Sequence, residues 1–420
     1  MGTLVPHFLS HLSIWNRYPV RFFVVFGALA VLLFVAETLN GRAELNDFRV
    51  YYGAGQAVLH GTPLYGVSHG LDSGLFKYAP LLALIHTPLA ALPYPLAAAI
   101  HYLLITLAFL DALRRMDRLV RAHLLQGAPA RYAPLFLLGL VVVVHLHREL
   151  HLGNINLFLL WLLVVGLEQL VQGRDHWAGV LIGVAILTKP HFLVLAPLLI
   201  LRGKWQALTM AGVVIGIGLM IPALILGWSA NTEALMDWGR TMAEHNTSLI
   251  YTEGDDRRAI NTIYSALYRS VLHLFLPASA AVAYGILAVI AGSFGLFVLS
   301  DRRPDGGASN PARFPLEYLL LVGLVPSITL TDTQHFLLVT PVLCFVLYHL
   351  LSRRTPAWLP FVAIPLFLLY GGNWEDALGP ISDRLIRSGA LGIGAFGILL
   401  LAVLLFLRSN PGRLPSSNPT

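Results

Sequence analysis

Asp47 stands just after the first long apolar segment, preceded by Asn46 and followed by Phe48, Tyr51, Tyr52, Gly55 and Leu59 at helical spacing, with Arg49, Gln56 and His60 between them. That pattern predicts an amphipathic helix at a membrane interface. A carboxylate at its start can cap unpaired backbone N–H groups, or act as a base where a lipid-borne molecule meets a polar one. Lys189 ends another apolar stretch in Thr188-Lys189-Pro190-His191, inside a run otherwise apolar from Val180 to Leu201. A lysine there is costly unless it snorkels to the interface or meets an ion partner, a headgroup or an anion. His191 adds a second donor beside it. Between two further apolar segments come His145, His147, Arg148, Glu149, His151, Gly153, Asn154 and Asn156. The three histidines with Glu149 admit a metal site, although neither HExxH nor another specific zinc spacing is present. Gly153, Asn154 and Asn156 offer either a turn and helix cap or amides that contact a polar molecule.

Segment 228–277 holds Trp238, Arg240, His245, Asn246, Ser248, Arg257, Arg258 and Asn261. Such aromatic, amide and guanidinium groups suit recognition of hydroxyls and phosphates, and also the surface of a solvated loop. A tight turn, Thr331-Asp332-Thr333-Gln334, brings His335 to the start of an apolar run. There it can donate to a phosphate or simply sit at the interface.

The elements that must position these residues follow from composition. The chain has 420 residues, 56% hydrophobic and only 12% charged, far fewer charges than a soluble domain carries. Apolar runs long enough to cross a bilayer recur along it. With no water in lipid to satisfy the backbone, each run should be a helix, so the fold class is all-α: a polytopic transmembrane bundle. Twelve spans are predicted: 20–39, 94–113, 133–147, 154–171, 176–190, 191–201, 206–227, 278–300, 314–330, 335–351, 356–371 and 389–407. Residues 78–92, interrupted by Pro80 and Pro88, and residues 261–276 are expected to be non-spanning helices on the outer face. Arg114, Arg115, Arg118, Arg121 and Arg131 place loop 114–132 in the cytoplasm, and Arg302, Arg303 and Arg313 do the same for 301–313. Both termini are then cytoplasmic, and the long loops 40–93, 228–277 and 372–388 lie outside. Residues 1–408 read as one membrane domain with a short tail, 409–420. The net charge of +6 follows this topology and does not suggest a nucleic-acid partner. Cys344, the single cysteine, excludes an intramolecular disulfide framework and any multi-cysteine metal site.

Read in order, Asp47-Phe48-x-x-Tyr51-Tyr52, Gly61-x-Pro63-x-Tyr65, Phe76-x-Tyr78-x-Pro80, Pro88-Leu89-Ala90-x-Leu92-Pro93, Gly153-Asn154-x-Asn156, the Gly179 to Lys189 segment ending in Lys-Pro, Asn246-x-Ser248, and Pro326-Ser327 leading to His335 form a series. This series resembles glycosyltransferase family 87, membrane enzymes of the GT-C fold that use polyprenyl-phosphate sugars and include polyprenol-phosphate-mannose-dependent mannosyltransferases. The chain departs from the family pattern at Ala79-Pro80, where a double proline is common, at Gly153, where glutamine is common, and at Gln334, where a second histidine often precedes His335. The resemblance implies an inverting transfer of a single sugar, mannose first, from a polyprenyl-phosphate donor to a lipid-linked or glycan acceptor at the exterior face of the cell membrane, with Asp47 as general base. Donors to the departing lipid phosphate are then sought in Lys189, His335 and Arg258, and substrate contacts in Tyr51, Tyr52, Asn154, Asn156, His191, His245 and Asn246. The scheme requires neither a metal nor a cofactor, because no nucleotide diphosphate has to be neutralised. Two alternatives stay open: a lipid or polyol transporter, for which Glu37 and Asp111 would be the informative residues, and a ligase or polymerase of preassembled lipid-linked glycans.

Overall fold

Among the described residues every regular element is helical, apart from an isolated antiparallel bridge between Ser68 and Leu75. The computed structural model describes residues 19–71, 74–125, 128, 132–245, 248–252, 257–300, 311–352, 355–374 and 378–409. The order is α1 Pro19–Leu39, α2 Asn46–His60, α3 Pro80–Ala90, α4 Tyr94–Leu119 with a π turn Val120–Leu124, α5 Tyr132–Leu152, α6 Asn156–Val171, α7 Asp175–Thr188 and α8 Leu195–Leu201, the last preceded by a 3-10 turn Pro190–Val194. There follow α9 Trp205–Met220, α10 Trp228–His245, a 3-10 turn Arg257–Asn261, α11 Ile263–Ser270, α12 Ala280–Leu299, α13 Arg313–Ile328, a 3-10 turn Thr333–Val339, α14 Thr340–Leu350, α15 Leu359–Gly371, α16 Pro380–Ser388 and α17 Ala390–Ser409. The chain is a multi-pass, all-α membrane protein.

Among the described residues seven helices are long and apolar enough to cross a membrane: Phe22–Leu39, Tyr94–Leu124, Ala133–Leu152, Trp205–Leu226, Ala280–Leu299, Thr333–Leu350 and Ala390–Ser409. The other five of the twelve predicted spans are shorter helices, α6, α7, the Pro190–Leu201 pair, α13 and α15, of 16 residues or fewer. Apolar runs do not by themselves show where a helix stops. Here α7 ends at Lys189, whose backbone is extended (φ −139°, ψ 104°), and the next residue is a proline, which disfavours helix in the residue before it. The long helices divide by environment: 6% of the apolar window of α1 is buried, against 78% for Thr333–Leu350. α1, α9 and α12 therefore present most of their surface outward, around a core built from α4, α6, α13, α14 and α17.

Two packing devices bear on the site. α7 lies close against α9 because Gly179 and Gly183 leave room: a Cβ on Gly179 would stand 2.4 Å from the Ala207 carbonyl oxygen, and one on Gly183 2.9 Å from that of Ala211. Small residues four apart are how helices in lipid approach closely. Polar bonds then tie together the helix ends opposite Lys189. Lys204 Nζ reaches Asp175 (3.0 Å), Arg121 Nη2 pairs with Asp117 (2.7 Å), and the Tyr348 hydroxyl donates to the same carboxylate (2.5 Å). Glu317, fully buried, takes Arg202 through both oxygens (2.8 and 2.5 Å) and also Arg313 Nε (3.1 Å), while Arg313 Nη2 donates to Ser300 Oγ at the end of α12 (2.7 Å). Removing one partner of a buried ion pair strands the rest. Glu317→Gln is thus expected to lower unfolding free energy by roughly 3 to 5 kcal/mol, read as a lower denaturation midpoint in detergent; a midpoint equal to wild type would show that the two arginines are held by other groups.

Candidate active site

A cavity of about 360 Å3 opens where the first turn of α2, the α5–α6 junction, the α7–α8 break and the turn before Val339 converge. Asp47, Tyr51, Asn154, Lys189, His191, Arg258 and His335 all line it, together with Tyr78 and Asp332. Residues scattered over nearly three hundred positions of sequence thus face one space.

Asp47 enters it from the first turn of α2. The residue before that helix, Leu45, is buried and holds a left-handed backbone (φ 43°, ψ 60°), and no side chain caps the helix. Asn46 is turned aside, its Oδ1 accepting from Leu71 N (2.9 Å). The Asp47 carboxylate instead accepts Asn154 Nδ2 (2.5 Å). A carboxylate only accepts, so this bond fixes the amide's orientation. Asn154 Oδ1 faces the other way and accepts from Ile155 N (2.7 Å) and the Tyr51 hydroxyl (3.3 Å). With the Tyr51 proton committed, the Tyr78 hydroxyl is the donor in its 3.0 Å bond to Tyr51. Asn154 can meet Asp47 because Gly153 turns left-handed (φ 64°) with Phe48 and Leu45 packed against it; a Cβ there would lie 3.0 Å from that of Phe48. Burial raises the pKa of Asp47 above the ordinary aspartate range; the Asn154 hydrogen bond opposes this, the charge of Asp332 adds to it, and Lys189 and Arg148 oppose it.

The second cluster is built on Glu149, which is fully buried. Its Oε1 accepts the backbone N–H groups of Asn156 (2.7 Å) and Leu157 (3.3 Å), satisfying the start of α6, and its Oε2 accepts Asn156 Nδ2 (2.7 Å). That leaves Asn156 Oδ1 to accept Lys189 Nζ (2.7 Å). Lys189 also touches His335 Nε2. Since His335 Nδ1 lies 3.1 Å from the Asp332 carbonyl and donates to it, Nε2 carries the lone pair and accepts from the ammonium. Two of the three Lys189 protons are so engaged, leaving the third for the cavity. His335 therefore aims Lys189, and in this tautomer it offers no Nε2 proton of its own.

Other predicted residues lie elsewhere. Tyr52, one position from Tyr51 and so about 100° round the helix, donates to the Leu92 carbonyl (2.8 Å) and packs edge-on to Tyr94, outside the cavity lining. Asn156 stands behind Lys189. His245 ends α10, and Asn246 lies outside the described residues. The three histidines near Glu149 diverge: His145 Nε2 donates to the Tyr370 carbonyl (2.9 Å), His147 stacks on His151, and His151 lies 3.5 Å from Glu37. Among the described residues no group of three or more His, Cys, Asp and Glu side chains converges. Asp111 is occupied by Arg115 Nε (2.6 Å) and Trp161 Nε1 (2.9 Å). Tyr78 and Asp332 join the site although neither is a candidate from sequence, and Glu149 serves the start of α6 rather than a metal; its spacing of seven from Asn156 is the signal for that pairing.

A partly open cavity that gathers carboxylates, an ammonium and an amide within an apolar helical bundle is suited to a polar, charged group. The chain belongs to glycosyltransferase family 87, whose model matches residues 76–330. Asn154, Lys189 and Arg258 fall within the matched segment; Asp47 and His335 flank it. An alpha-(1->3)-arabinofuranosyltransferase of Corynebacterium glutamicum is 28% identical over 189 residues, 43% of this chain and 43% of that protein. The aligned part is thus less than half of each. No solved structure matches the chain.

Proposed function

We propose that the protein moves one sugar, with inversion, from a polyprenyl-phosphate donor to a lipid-linked or glycan acceptor. The observation that carries this reading is that Asp47 and Lys189 line one cavity. The acceptor hydroxyl gives its proton to Asp47 as its oxygen bonds to the anomeric carbon. The bond from that carbon to the phosphate oxygen breaks, its electron pair leaving with the lipid phosphate, whose charge Lys189 meets, with Arg258 on the same wall. Tyr51 and Asn154 hold the base; Glu149, Asn156 and His335 hold the cation. Mannose is the sugar implied by family resemblance, and the named activity of the corynebacterial relative favours arabinofuranose as the second choice. Arg114, Arg115, Arg118 and Arg121, at the end of α4 and in its π turn, support a cytoplasmic position for that end of the helix, and with it cytoplasmic termini and a cavity on the exterior side.

The test is to supply the purified protein in nanodiscs with polyprenyl-phosphate mannose or polyprenyl-phosphate arabinofuranose and a lipid extract, following donor loss and product mass across pH. One of the two donors should be consumed, with rate falling on the acid side along one ionisation. Because burial raises the pKa of Asp47, that fall should begin at higher pH than for an ordinary aspartate. Stability changes in the opposite sense: the folded state holds this proton more readily than the unfolded chain, so its contribution grows as pH falls through the same range while the base is silenced. Consumption of neither donor at any pH would remove the reading.

A further inference from the structure

A second cavity, of about 560 Å3, adjoins the first and shares Arg258, Thr331 and Asp332 with it. Its walls come from other parts of the chain: Arg148 of α5, Tyr251, Asn261, Asn373 after α15, and Arg387 of α16. Among its described lining residues are three arginines, Arg148, Arg258 and Arg387, and one carboxylate residue, Asp332. The first cavity sets Lys77, Lys189 and Arg258 against two carboxylates, those of Asp47 and Asp332, so the second holds the larger cationic excess among its described lining residues. The second is a constructed space. Arg269 braces the α16–α17 corner by donating to the carbonyls of Arg387 and Ser388 (2.7 Å each), and α17 seats directly under Asn261, where a Cβ on Gly392 would stand 2.0 Å from the Asn261 carbonyl oxygen. Ala390 and Leu391, at the positive end of the 20-residue helix α17, complete the wall.

We propose that this second cavity is an anion subsite, for a phosphoryl group carried by the substrate that receives the sugar, with Arg148 and Arg387 as its specificity residues. The proposal rests on the transferase reading above. A space of about 360 Å3 is of the size one small ligand fills, so the transferred sugar and its phosphate leave little of it for a lipid-linked acceptor. The acceptor must still place a hydroxyl at Asp47, and the adjoining cavity is where the rest of it can lie. Planar guanidiniums match phosphate oxygens two at a time, and the shared wall at Arg258 and Asp332 is the passage between the two groups.

The experiment uses the full-length protein in phosphatidylcholine nanodiscs at low ionic strength, with inorganic phosphate as probe and calorimetry as readout. Phosphate should still bind Lys189→Met protein, and Arg148→Ala/Arg387→Ala should weaken that binding by about tenfold or more. Arg148→Lys/Arg387→Lys, which keeps the charge, should recover part of it and serves as the folding control. Prior saturation with farnesyl phosphate, a stand-in for the lipid donor, should leave the phosphate heat intact. Equal binding by the alanine variant overturns the site; displacement by farnesyl phosphate assigns the cavity to the donor and overturns the acceptor. Failure of the transferase reading looks different: no sugar transfer while the anion binding persists.

Discussion

Asp47→Asn protein is expected to be made and folded like the wild type and to transfer sugar about a thousandfold more slowly, the middle of the range a positioned general base supplies. The expectation comes from what this carboxylate lacks. It caps nothing, and one amide proton, from Asn154, is its hydrogen-bond partner. Its remaining lone pairs face the cavity, and burial raises its proton affinity. Such a group is suited to taking a proton and contributes little to holding the fold. Asparagine keeps the shape and can still accept from Asn154 Nδ2, while the cost of an ionised, partly desolvated carboxylate disappears. The unfolding midpoint should therefore stay the same or rise. Turnover of the variant within a few-fold of wild type would show that the proton leaves by another route.

Lys189→Met should cost about a hundredfold to a thousandfold in kcat, as loss of one donor to a developing oxyanion does. Methionine matches the length of the stem and removes the charge. If Lys189 meets the phosphate mainly as the bond to it breaks, kcat falls and KM moves little; a rise in KM alone would mean it binds the phosphate before reaction and does no more. Lys189→Arg should not rescue. The ammonium fits between Asn156 Oδ1 and His335 Nε2, where a planar fork cannot present the same three protons. Lys189→Met should also be less stable than Asp47→Asn, since Glu149 then stays buried with its amide donors and without the Lys189 charge. Activity close to wild type would move the search for the phosphate's partner to Arg258.

Much of this could be read in the sequence, for a physical reason. Polar residues bounding apolar runs are expensive, so Asp47, Asn154, Lys189 and His335 stood out before any geometry was known, and the structure brings all four to one cavity. The all-α membrane class followed from composition in the same way. What stayed hidden depends on direction or distance. Tyr51 and Tyr52 look alike in a string of letters, yet adjacent helix positions diverge and one of them turns away. Glu149 kept company with histidines that α5 points elsewhere, and its real partner is the start of the next helix. Five of the twelve predicted spans, themselves only 11 to 18 residues long, are short helices in the structure, because an apolar run marks a buried or lipid-facing segment without saying whether it crosses the bilayer. The second cavity joins α5 to α16 and α17, and no local pattern links them.

Those shorter helices have a consequence for how a greasy substrate arrives. A 14-residue helix such as α7 rises about 21 Å, against roughly 30 Å of hydrocarbon, while the outward-facing α1, α9 and α12 run the longer course. Lys189 closes that short helix and stands in the cavity lining with Asp47. On the transferase reading proposed above, a lipid-borne donor would then meet its cation at the end of a helix shorter than the hydrocarbon layer is thick, so its phosphate could be reached without the whole lipid leaving the membrane.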